Sequence, residues 1–182
     1  MYTMGIVRLL LVWFWLAPLV GRADVVLVDR VVASVDLHPI TRSAVDARAL
    51  PLVALSKSAA QKEEVRRAVL LELIEEQLIR KEAQRLGLEV RDEEVEGALQ
   101  EVAKQNQLSV PDLLVELERQ GLAIEHYKTM LRAKLLEFRW LNARMNRAAM
   151  PADEAQRPSF MASERARLMN ELRLGAVIEV RP

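Results

Sequence analysis

Two hydrophobic periods run along the chain. Val25–Val35 (VVLVDRVVASV) and Ala176–Val180 (AVIEV) are dense in β-branched residues and read as strands, with Pro182 stopping any extension of the second. Between them, apolar residues recur at three- and four-residue intervals, the spacing of helices. A lone strand leaves a row of backbone N–H and C=O groups unmatched and needs a partner. The pattern therefore predicts a mainly α fold in which Val31–Val35 pairs with Ala176–Val180, holding the chain's two ends together around a helical body. Asp36–Pro39 (DLHP) reads as a turn.

The helical stretches carry start and stop signals. A short helix follows the turn, capped by Thr41 or Ser43, and gives way to a loop containing Pro51. A long helix is expected over about 58–86, with Ser58 as N-cap, Gln61 three residues on and Gly87 as the stop. Its apolar residues fall on two arcs, Leu70, Leu71, Ile74 and Leu78 on one and Ala68, Ile79, Ala83 and Leu86 on the other. A helix apolar on two sides packs on two sides, which puts it at the centre of the domain. Further helices are expected over 91–106, 109–121, about 123–148 and about 159–174. Pro151 and Pro158 bracket a polar linker between the last two.

Composition narrows the function classes. The 182 residues suffice for one domain of ordinary size, and half of them are hydrophobic. Basic and acidic residues balance at 26 each, which gives no electrostatic reason to expect a nucleic-acid partner. Without cysteine there is no disulfide, thiol nucleophile or thiolate metal site. Arg8, the apolar run Leu9–Val20 and the small residues Gly21 and Ala23 form the three-part layout of a secretory signal peptide over residues 1–23. Cleavage is expected after Ala23. The run of about twelve residues falls short of the roughly twenty that a spanning helix needs. An uncleaved anchor is the competing reading, because Arg22 is an awkward neighbour for a cleavage site. Removing the leader takes away Arg8 and Arg22 and no acid, leaving 24 basic and 26 acidic residues, a net charge of −2.

No catalytic constellation emerges. His38 and His126 have no second histidine at ligand spacing, and they read as a turn and a surface histidine. The serines form no GxSxG elbow, and the six glycines form no phosphate loop. Asp92, Glu93, Glu94 and Glu96 lack the alternating ligands of a calcium loop and suit a solvated helix start. No cofactor or metal is expected. Tyr127 and Phe138 share the apolar face of their helix and are expected in the core, whereas Trp140 falls off that stripe and is expected to be partly exposed. Methionines Met130, Met145, Met150, Met161 and Met169 lie in the C-terminal half, where flexible side chains suit either gap-filling or a surface that accepts varied apolar segments.

The wording VDRVVASV at Val28–Val35 resembles the N-terminal chaperone module of the SurA family, periplasmic folding factors for outer-membrane proteins. So do LLELIEEQLIRKEAQRLGLEV, DEEVEGALQEVAKQNQLSVPDLLVELERQGL and YKTMLRAKLLEFRWLNARM, in that order. The resemblance runs from about Val28 to Met145. It implies a helical chaperone domain over residues 24–149, completed by a returning helix and strand over 159–182. The family usually carries one or two parvulin-type prolyl isomerase domains before that return. Here residues 150–158 leave no room for one, which argues against isomerase activity. The resemblance implies a periplasmic, ATP-independent chaperone for unfolded or nascent secreted polypeptides, outer-membrane proteins among them. An adaptor holding one fixed partner and a degenerate isomerase are the alternatives. The returning helix carries more apolar length than one packing stripe requires. Phe160, Met161, Leu168, Met169 and Leu172, with Trp140, are therefore the expected client-binding residues, lining a groove between that helix and the body.

Overall fold

A computed structural model describes residues 29–145 and 150–181. The expected leader, its cleavage site and the first residues of the strand expected at Val25–Val35 lie outside the described residues. The described elements run β1 (Val31–Val35), β2 (His38–Thr41), α1 (Arg42–Ala54), α2 (Ala59–Arg85), α3 (Asp92–Gln105), α4 (Val110–Arg119), α5 (Ile124–Arg144), α6 (Arg157–Leu174) and β3 (Ile178–Val180). The fold is mainly α, with a small antiparallel sheet of order β2-β1-β3.

The expected pairing of the two ends is present. Ala33 faces Val180, Ser34 faces Glu179 and Val35 faces Ile178. Hydrogen bonds extend the ladder at both ends, from Asp36 N–H to the Val177 carbonyl at 2.7 Å and from Arg181 N–H to the Val32 carbonyl at 2.8 Å. Asp36 sits in the left-handed region at φ 51°, a conformation Asp tolerates in tight turns. Its carboxylate accepts from Lys81 Nζ of α2 at 2.6 Å and from Val177 N–H at 2.9 Å. These two contacts, Lys81 first, hold its carboxyl below the usual aspartate range. One turn residue thus pins the closing strand to both β1 and α2.

The turn itself is shorter than DLHP suggests. Only Asp36 and Leu37 form it, and His38 already opens β2, where Pro39 is tolerated because β2 is an edge strand. The loop expected around Pro51 is also corrected: α1 continues through Pro51 to Ala54. The proline forfeits one hydrogen bond to the carbonyl of Ala47. Val45 and Ala49, buried against α2 and the sheet, hold the helix through that loss. Thr41 is the α1 cap, accepting from Ala44 N–H at 3.4 Å. Ser58 and Gln61 close a full capping box on α2.

Two apolar clusters form the interior. The larger joins Val32, Ala33 and Val35 of β1 to Val69, Ile74 and Leu78 of α2, Trp140 and Leu141 of α5, and Leu168 and Met169 of α6. The smaller joins Leu99 and Ala103 of α3 to Leu113 and Leu117 of α4, with Tyr127 and Leu131 of α5 packed against it. Helix α2 contacts the sheet, α1, α5 and α6, which is the central position its two arcs predict. Leu71 and Ala68 are the exceptions on those arcs, both exposed to solvent.

Deleting residues 178–182 should expose the second edge of β1 and lower stability by about 2–4 kcal/mol, from lost strand pairs and uncovered apolar area. Urea melts of full-length and truncated protein measure it. Equal midpoints would show that the β1–β3 ladder contributes nothing.

Candidate functional site: a groove between two long helices

A concavity of about 510 Å³ lies between α2 and α5. Ile79, Leu88, Val90, Ala133 and Leu136 supply its apolar surface. Charged side chains of both signs rim it, Glu76 and Arg80 from α2, Glu89 before α3, and Arg132 and Glu137 from α5.

Local sequence builds each wall. Helix α2 stops because Gly87 adopts φ +66°, which lets Leu88 N–H turn back onto the Ala83 carbonyl at 2.8 Å. That reversal brings Leu88 and Val90 to the end of the groove. Three ion pairs tie α5 to the start of α3: Arg132 with Asp92, Lys128 with Glu96, and Arg139 with Glu94. The acidic run is therefore more than a solvated helix start, since three of its four carboxylates hold α5 in place. The Arg139 guanidinium, with Arg91 N–H behind it, lowers the Glu94 carboxyl to about 2. This preference for the charged form operates above the ordinary value of 4.5 and is lost as pH falls through about 2.

On the other side, α6 is clamped by charge. Arg165 reaches both Glu75 of α2 at 2.9 Å and Glu137 of α5 at 2.6 Å, and Arg173 reaches Glu75 at 2.6 Å. Arg144 of α5 bridges to Glu171 at 3.0 Å. Burial pushes the Glu137 carboxyl up, but Arg165 and Lys134 outweigh it and leave the group below its usual range.

The residues expected to bind clients are placed differently from that expectation. Trp140 is wholly buried, and Leu168 and Met169 are buried beside it in the larger cluster. These three are core residues with no face open to a docking chain. Met161 and Leu172 are half-buried against the same cluster, and Phe160 is half-buried. The apolar excess of α6 thus seals the interior. Leu172 alone of the six borders an open cleft of about 320 Å³ between α6 and the body, and the rest of that rim is largely charged, including Lys81, Glu82, Arg85 and Arg144. Phe138, expected in the core, is 63% exposed.

Beside the groove lies a buried polar corner. Arg48 of α1 pairs with Glu76 of α2, and both are largely shielded from solvent. His126 of α5 stands near both, its Nε2 buried and making no hydrogen bond, so it is not the surface histidine the sequence suggests. Burial, then the Arg48 charge, pushes the imidazole below its usual 6.5. Among the described residues no group of three or more His, Asp or Glu could hold a metal ion. No helix there is long and apolar enough to cross a membrane.

A histidine held neutral when folded binds a proton more readily when unfolded, so it stabilises the fold above 6.5 and that stability is lost as pH falls through its lowered value. Thermal midpoints should therefore drop between about pH 7.5 and about pH 5.5, and His126→Gln should flatten the drop. An unchanged slope in the variant would assign the acid sensitivity elsewhere.

Comparison with known proteins follows the same outline. The SurA N-terminal domain family matches residues 28–140. The chain is similar to Chaperone SurA of Saccharophagus degradans, 28% identical over 117 residues, covering 62% of this chain and 27% of that protein. Chaperone SurA of Ralstonia nicotianae is 34% identical over 120 residues, covering 64% and 24% respectively. Chaperone SurA of Methylobacillus flagellatus is 26% identical over 132 residues, covering 70% and 30%. The matched part of the chain spans about a quarter of the length of these relatives. The match takes in β1, the α2–α5 groove and the α3–α4 cluster that supports it, and this chain belongs to the SurA N-terminal domain family.

Proposed function

We propose that the chain is an ATP-independent periplasmic chaperone that holds apolar segments of unfolded polypeptides in the α2–α5 groove. The observation that carries this reading is the groove's makeup, an apolar floor of Ile79, Leu88, Ala133 and Leu136 inside a rim of mixed charge. A volume of about 510 Å³ suits a few side chains of a docking segment rather than a whole folded partner. Apolar burial without a fixed hydrogen-bond pattern tolerates varied sequences. The mixed rim keeps the empty groove soluble and offers either sign of charge to polar neighbours in the client.

In this reading residues 1–23 are a leader removed on export, and the natural clients are outer-membrane proteins passing through the periplasm. Residues 150–158 take the position where the family's isomerase domains are inserted, so binding proceeds without a chemical step. Prolyl cis–trans exchange in a test peptide should stay at its background rate when the purified chain is added.

Suppression of aggregation of an unfolded outer-membrane protein tests the site. Leu136→Ser removes apolar contact from the floor and should weaken client binding by about 1–2 kcal/mol, roughly five- to thirtyfold. Phe138→Ser, two residues on but outside the groove, should leave suppression unchanged. If Phe138→Ser abolishes suppression while Leu136→Ser does not, the client surface lies on the outer face of α5 and the groove reading fails.

A further inference from the structure

Five arginines, Arg30, Arg42, Arg66, Arg67 and Arg181, ring a hollow of about 270 Å³ beside the C-terminal end of β3. Val45, Leu70 and Val180 give it apolar walls. Three nearby carboxylates offset part of the charge. Asp46 takes Arg42 at 3.0 Å and Arg66 at 2.8 Å. Glu63 stands 3.8 Å from both Arg66 and Arg67, and Glu179 stands 3.6 Å from Arg181, contacts too long for hydrogen bonds. A guanidinium has five N–H donors, and Arg67 and Arg181 meet their acids only beyond hydrogen-bond distance, so both keep donors for an incoming carboxylate.

The hollow adjoins an open backbone edge. Among the described residues β3 is an edge strand. Val177 and Arg181 direct their backbone groups to β1, as the two flanking hydrogen bonds record. In an antiparallel ladder alternate residues face opposite sides, so Ile178 and Val180 turn their N–H and C=O groups outward. Strand donors, apolar walls and arginines therefore occur together within a few residues.

We propose that this edge and hollow bind an extended polypeptide segment bearing carboxylates, added as a fourth strand beside β3. Its backbone pairs with Ile178 and Val180, an apolar side chain enters between Val45, Leu70 and Val180, and its carboxylate meets Arg67 and Arg181. A polypeptide is favoured over a lipid phosphate because only a backbone supplies the alternating donors and acceptors that the edge of β3 requires. The site is separate from the α2–α5 groove and does not depend on the client reading of that groove.

The probe is a fluorescent peptide of alternating Val and Thr ending in Glu residues, followed by anisotropy on the full chain. The matching peptide with Gln and an amidated end should bind about tenfold more weakly, the scale of a lost charge-assisted contact. N-methylation at alternate residues of the acidic peptide should abolish binding, and the acidic peptide should slow hydrogen exchange at the Ile178 and Val180 amides. Arg67→Gln and Arg181→Gln should each weaken the acidic peptide without changing the thermal melt. If Arg181→Gln disturbs folding, Arg67→Gln decides, since Arg67 is 78% exposed and stands 3.8 Å from Glu63. Equal affinity for the two peptides, or unaltered exchange at Ile178 and Val180, overturns the proposal. Binding to vesicles of anionic phospholipid with none to either peptide overturns it in favour of a lipid phosphate.

Discussion

Backbone pairing between β1 and β3 brings residues from opposite ends of the chain into one ladder, Ala33 against Val180 and Val35 against Ile178. Most of the remaining architecture depends on it. The ladder fixes where α6 must end, which places Leu168 and Met169 over Trp140 and closes the larger cluster. Asp36 strengthens the junction by binding Val177 and Lys81 together, so sheet and central helix share one polar anchor. A three-residue strand contributes few hydrogen bonds of its own. Its effect is disproportionate because it positions an 18-residue helix whose apolar face would otherwise be uncovered.

Helix α5 carries the second constraint. Its N-terminal half belongs with α3 and α4, its C-terminal half with the sheet, α2 and α6. A rod packed into two clusters leaves a concavity where it passes from one to the other, and the α2–α5 groove occupies that transition. Ion pairs to α3 on one flank and to α6 on the other set the spacing of the walls. Exposed pairs of this kind contribute little stability singly. Their number and their distribution on both sides of α5 make them more useful for position than for energy.

Much of this was legible in the residues. β-Branched runs at both ends announced the closing ladder, Ser58 with Gln61 announced the start of α2, and Gly87 announced its end. Pro51 misled because a proline reads as a helix boundary, and only the packing of Val45 and Ala49 carries α1 past it. Trp140 and Phe138 exchanged roles for a geometric reason. Seven residues separate Leu131 from Phe138, so the two lie within about 20° on the helix. Leu131 faces the smaller cluster, but that cluster has ended by Phe138, and the inner face has turned to Trp140 and Leu141. A single apolar stripe cannot describe a helix that serves two cores. The groove was illegible for a related reason. Leu88 and Val90 lie outside any helix, while Ala133 and Leu136 look like ordinary stripe positions until α2 is placed opposite them.

The central claim is that the α2–α5 groove receives the unfolded chain. Site-specific photo-crosslinking tests it most directly, with the photoreactive residue placed in turn at Leu136, at Phe138 and at Leu174 of α6. Mixed with an unfolded outer-membrane protein, the position in the groove should form the adduct, and the two exposed positions outside it should form little. Adducts concentrated at Phe138 or Leu174, with none at Leu136, would contradict the account.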